Sequence, residues 1–117
     1  MCAAHHKLDN LVCFVDRNML QIIGTTEEIM GVAPLEEKWS SFGWNVITID
    51  GHNFDEIFAA LKQAEQVKGR PTAIIANTVK GKGFPFAEGK AAYHNAAMNE
   101  EEYKIAQAMV EKMKEEA

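Results

Sequence analysis

Asp16, Arg17 and Asn18 follow the apolar run Leu11 to Val15, so a short carboxylate, a guanidinium and an amide stand at the mouth of an expected strand. A turn accounts for them, since asparagine tolerates the left-handed backbone. A metal or phosphate site is the sharper alternative, and from these residues alone the turn is favoured. The glycine loop "KGKG" at 80–83 is the second candidate: its unhindered amides, with Lys80 or Lys82 adding charge, could approach a phosphate or form a flexible surface turn. His5 and His6 are adjacent and share no helix face, so they read as surface or packing residues. His52, after Asp50 and Gly51, reads as turn chemistry.

Three expected strands would position these residues. Leu11 to Val15 is a continuous apolar run of the kind covered on both faces. Asn45 to Asp50 reads as a second strand, passing at once into a helix whose cap is Asn53 with Glu56, ahead of Phe54, Ile57, Phe58 and Leu61. Pro71 to Val79 is the third by its β-branched content. Between them, Pro34 opens a short helix with Leu35, Trp39 and Phe42 on one face and Gly43 as its stop. Thr25 and Glu28 have capping-box spacing, but the nearby Gly31 favours a loop. Asn99 and Glu102 cap a last amphipathic helix carrying Ile105, Ala106, Met109, Val110 and Met113. Strands alternating with helices predict an α/β fold, a small parallel sheet flanked by helices. Ligands in such sheets gather at the carboxyl ends of the strands, where all the candidate loops lie. The sheet is small for its apolar strands, which implies missing neighbours.

A chain of 117 residues forms at most one small domain. The net charge of −5 and the absence of a basic stripe argue against nucleic acid or an anionic membrane as partner. Cys2 and Cys13 make one possible pair, Cys13 lies in an apolar strand and no leader precedes them, so a reduced, cytoplasmic protein is expected. No apolar run approaches the roughly 20 residues that span a bilayer.

"AAHHKLDNLVCFVDRNMLQIIGTTEEI" resembles the second half of the diphosphate-binding domain of transketolases, especially the separate N-terminal subunit of split bacterial ones. "PLEEKWSSFGWNVITIDGHNFDEI", "GRPTAIIANTVKGKG" and "YHNAAMNEEEY" resemble later segments of that family in the same order, so the likeness runs nearly end to end. It implies a partial thiamine diphosphate-binding fold over residues 1–117, lacking its N-terminal half. The cofactor would be thiamine diphosphate with magnesium. Asn18 matches a magnesium-binding asparagine and Leu20 the position whose carbonyl binds the same ion, and magnesium prefers such oxygens with few protein ligands. Ile22 matches an apolar residue against the thiamine rings, and Lys80 stands at a cofactor-facing position before the first glycine of its loop. His94 matches the histidine of the family's "HG" signature, near diphosphate and sugar, where an imidazole suits proton handling. The chain departs from the family pattern at Ile23, commonly aspartate, and at Asn95, where glycine usually follows the histidine.

The resemblance also shows what residues 1–117 do not contain: the "GDG" motif with its magnesium aspartate, the earlier histidines, and the pyrimidine-binding domain whose glutamate activates the cofactor. Thiamine chemistry depends on that activation. The expected function is therefore two-carbon ketol transfer between sugar phosphates, with the chain inactive alone and working with a complementary transketolase chain. The alternative is a noncatalytic remnant acting as an oligomeric protein-interaction module. Either reading predicts self-association, because a sheet edge and an apolar packing surface are left open.

Overall fold

The computed structural model describes residues 1–116. In chain order its elements are helix α1 (Cys2–His5), strand β1 (Val12–Arg17), the short strands β2 (Leu20–Gln21) and β3 (Gly24–Thr25), helices α2 (Thr26–Ile29) and α3 (Leu35–Ser41), strand β4 (Asn45–Asp50), helix α4 (Phe54–Gln66), strand β5 (Thr72–Asn77), a 3-10 turn (Ala91–His94) and helix α5 (Glu100–Glu116). β5 lies between β1 and β4 and is parallel to both. β2 and β3 form a separate antiparallel pair. The parallel α/β sheet expected from the three apolar segments is the fold of the protein.

Its register decides where chemistry can occur. Arg17 and Asp50 both pair with Asn77, so the three strands end abreast. Asn18, Gly51 and Thr78 therefore leave the sheet side by side.

β5 is central because Thr72, Ala73, Ile74, Ile75 and Ala76 can all be covered, and all are buried. Alternation sends Ile74 and Ala76 to one face and Ile75 to the other. On the first face Ile49, Ala60, Ile74 and Ala76 form the core, with Val12, Ile47, Ile57 and Leu61 packed against them. The small side chains Ala60 and Ala64 let α4 lie close to the sheet. Burying Ile74 completely contributes on the order of 2 kcal/mol. Thr48, on the opposite face from Ile47 and Ile49, donates its hydroxyl to Glu36 of α3 at 3.4 Å, so α3 and α4 sit on opposite sides of the sheet. Asn53 caps α4 by accepting from the Asp55 and Glu56 amides at 3.0 and 3.3 Å. Asn99 and Glu102 bond reciprocally at the start of α5.

The structure corrects the sequence reading in three places. β1 continues through Asp16 and Arg17, because pairing to β5 outweighs the polarity of these residues. β5 stops at Asn77 rather than Val79. Thr25 and Glu28 do complete a capping box, and its reward is the single turn α2 before Gly31.

Cover on both faces also fails for β1. Phe14 is 47% exposed, and on α4 Phe54 and Phe58 are 75% and 62% exposed. The molecule is a slab of 51 × 36 × 17 Å with a radius of gyration of 17.5 Å, against about 13 Å for a compact domain of this length. Its accessible surface is 8086 Å², where roughly 6,300 Å² is usual for this mass. Apolar surface that a globular fold would cover is open.

Candidate functional site

At the end of β1 the Asn18 side-chain oxygen accepts the Leu20 N–H at 3.0 Å. Met19, between them, is left-handed at φ 62°, a conformation that a non-glycine residue adopts only against a steric penalty. The Met19 carbonyl then accepts the Thr26 N–H at 2.9 Å. Asn18 therefore turns the chain, and its amide oxygen and the backbone of Leu20 are held together. Asn18 and Leu20 are half-buried, whereas Ile22 and Ile23 project at 66% and 78% exposure. The Thr26 hydroxyl oxygen is buried beside this turn without a hydrogen-bond partner among the described residues.

At the end of β5, Thr78 donates its hydroxyl to the Asp16 carboxylate, and its amide donates to the Arg17 carbonyl at 3.2 Å. The Val79 amide donates to His52 Nε2 at 2.8 Å. Lys80 to Gly83 follow as a compact turn, left-handed at Gly81 and Gly83. Gly81 is required sterically, because a Cβ there would meet the Ala87 carbonyl carbon and oxygen at 2.9 Å. Lys82 is drawn to Glu88 at 3.7 Å, whereas the Lys80 ammonium has no ion-pair partner among the described residues. Of the two lysines the sequence offered, Lys80 is the one free to meet a ligand.

Asp16, Asn18, His52, Thr78, Lys80 and Gly81 line one open cleft across the row of strand ends. The flush register brings Asn18 and Lys80, 62 positions apart, to the same place. Arg17 turns away to Glu36 at 3.8 Å. Leu20, Ile22 and His94 are not in the cleft wall; Leu20 lines an adjoining pocket with Asn18 and Thr26. The Ala91–His94 turn lies against β2, which brings it near the Asn18 loop, but the His94 ring is exposed and has no hydrogen-bond partner among the described residues. His5 and His6 stack edge-to-face with ring centres 5.0 Å apart; among the described residues no three His, Cys, Asp or Glu side chains converge on a common point.

Sequence reasoning did not find Met19, the Thr78–Asp16 bond, or the tie from His52 to Val79. Methionine carries no left-handed signal, and the two ties depend on strand order. A third missed contact is the Tyr93 hydroxyl donating to Glu102. That bond, followed by the Asn99 amide, holds the Glu102 carboxyl below the usual range, and the same bond pushes the Tyr93 phenol up.

The family model for the thiamine diphosphate-binding domain of transketolase matches residues 1–114. The chain belongs to the transketolase family. It is 51% identical over 112 residues to a 6-deoxy-6-sulfo-D-fructose transketolase subunit of Clostridium sp. (strain MSTE9), covering 96% of this chain and 41% of that one. It is 38% identical over 106 residues to an apulose-4-phosphate transketolase subunit of Phocaeicola vulgatus, covering 91% and 38%. The crystal structure of transketolase from Campylobacter jejuni subsp. jejuni superposes with a TM-score of 0.84 at 34% identity, over 92% of this chain and 17% of that one. The chain thus spans about two fifths of the length of these two curated relatives. Among the described residues no helix is long and apolar enough to cross a membrane.

Proposed function

We propose that the chain supplies one half of a thiamine diphosphate–magnesium site and acts with a complementary transketolase chain in two-carbon ketol transfer between sugar phosphates. The observation that carries this reading is the convergence of the Asn18 turn and the Lys80–Gly83 loop in one cleft at the flush strand ends. Asn18 and Leu20 would offer neutral oxygens to magnesium, Lys80 and its neighbouring amides would meet the diphosphate, and Ile22 would pack against the thiamine rings. His94, beside β2, would handle a proton near the sugar. When bound, thiamine diphosphate supplies the electron sink for breaking the bond beside a ketose carbonyl.

The donor set fits the group in part. Two neutral oxygens suit a metal that takes its charge from phosphate, and Asn18 lines both the cleft of Lys80 and the adjoining pocket of Leu20. The one carboxylate in the cleft wall, Asp16, accepts the Thr78 hydroxyl, so on this reading a complementary chain would supply the metal's charged ligand and the pyrimidine-binding domain. The names of both relatives as subunits, and the exposed Phe14, Phe54 and Phe58, support a partner that covers this surface.

With thiamine diphosphate, magnesium and a ketose and aldose phosphate, the chain alone is expected to give no ketol transfer, and addition of a complementary chain bearing the absent parts is expected to give turnover. Turnover by the chain alone, or none in the mixture, would contradict the proposal. The second reading, a noncatalytic oligomeric interaction module, is favoured by Ile23 and Asn95 together with the open apolar surface. It requires self-association, and light scattering that returned a monomer over a wide concentration range would exclude it.

A further inference from the structure

Because the three strands end abreast, the segment leaving β5 must pass between those leaving β1 and β4, and it is tied to both. On the β1 side the Thr78 amide and hydroxyl engage the Arg17 carbonyl and the Asp16 carboxylate. On the β4 side the Gly51 amide donates to the Asn77 carbonyl at 2.8 Å, and the Val79 amide donates to His52 Nε2 at 2.8 Å. His52 is fixed in turn, since its own amide donates to Asp50 Oδ1 at 2.9 Å. Gly51 lets this turn rest on the neck: a Cβ there would stand 2.5 Å from Thr78 Cγ2 and 3.2 Å from the Asn77 carbonyl oxygen. A turn of the form Asp-Gly-His needs no contact 27 residues away, yet the ring reaches across to Val79.

An imidazole nitrogen that accepts a backbone N–H carries no proton of its own, so the bond places the ring's proton on Nδ1. Lys80 is the next residue after the amide so held.

We propose that His52 is a positioning residue of the cleft: by accepting the Val79 N–H it fixes the start of the Lys80–Gly83 loop and so aims Lys80 and the loop amides at the diphosphate half-site. The proposal rests on the reading of that cleft as a thiamine diphosphate half-site. His52 touches Val79 and acts through the loop.

The test uses the full chain without cofactor first. In a long-range 1H–15N spectrum of the imidazoles, His52 is expected as the Nδ1–H tautomer at neutral pH; the Nε2–H tautomer would overturn the proposal. In limited trypsin digestion, His52→Ala is expected to speed cleavage after Lys80 and Lys82 about fivefold, the worth of one net hydrogen bond, with cleavage after Lys38 and Lys62 unchanged. His52→Gln, whose side-chain oxygen reaches the position of Nε2, is expected to restore the slow rate. Unchanged cleavage in His52→Ala, or no rescue by His52→Gln, would overturn the proposal. Should circular dichroism show His52→Ala unfolded, the tautomer and the His52→Gln rate decide. Saturation-transfer NMR with millimolar thiamine diphosphate and magnesium then separates the two claims. A signal weakened in His52→Ala and kept in His52→Gln supports both; a signal equal in all three proteins contradicts the aiming role; no signal in any even after a complementary transketolase chain is added, with the tie to Val79 verified, contradicts the half-site reading itself.

Discussion

The neck Thr78–Val79 and the excursion Met19–Met30 leave the same row of strand ends but are held in different ways. The neck is tied on both sides, to Asp16 and Arg17 from β1 and to His52 from the β4 turn. The excursion is a two-residue ladder closed by bonds among its own residues, the Thr25–Glu28 box and the Met19–Thr26 bond among them. Its tip carries Ile22 and Ile23 into solvent. The neck is rigidified by the strands on either side of it, whereas the apolar tip lies outside the cleft wall and stays open to water, the kind of surface that a partner covers.

Substitutions can break this contrast. Ile74→Ala, in the buried strand that carries the neck, is expected to cost about 3 kcal/mol in urea denaturation, through lost burial and the cavity left behind. Gly51→Ala forces a methyl group into Thr78 and is expected to cost about 1–3 kcal/mol; a neutral result would mean that the β4 turn does not press on the neck. Thr78→Val removes the hydroxyl bonded to Asp16 and is expected to cost about 1 kcal/mol, with amide exchange at Thr78 and Val79 accelerated.

Acid and base should loosen the contact between the Ala91–His94 turn and α5. The Glu102 carboxyl is held low, so its contribution is present above the ordinary carboxylate range and lost as pH falls through the lowered value. The Tyr93 phenol is pushed up, so its contribution is present below the ordinary phenol range and lost as pH rises through the raised value. Tyrosine fluorescence should report both transitions, and Glu102→Gln should abolish the acid one. Smallest of all, Ile23→Ser at the exposed tip is expected to change the stability of the isolated chain by less than about 0.5 kcal/mol. A larger loss would show that the tip is already covered.

The sheet was legible because apolar runs bounded by glycine and proline report burial directly: 45–50 is matched residue for residue, and 71–79 overshoots by Pro71 at its start and, at its end, where Thr78 and Val79 continue the β-branched run past the last pairing. β1 was drawn too short because polarity at Asp16 and Arg17 says nothing about backbone pairing to β5. Asn18 and Lys80 could be named from their loops, but their meeting depends on a register that no local pattern encodes. His52 was read as turn chemistry, which is correct for its backbone; the ring's bond to Val79 exists only because β4 and β5 are neighbours.

Calorimetric titration of the isolated chain with thiamine diphosphate and magnesium tests the half-site most directly. Asn18 and Leu20 bring no charge to the metal, and the far side of the cofactor would stay wet, so the expected dissociation constant is millimolar or weaker, about −4 kcal/mol, with little change in Asn18→Ala. Micromolar, magnesium-dependent binding that disappears in Asn18→Ala would contradict the account, because the chain would then hold a complete site without a complementary transketolase chain.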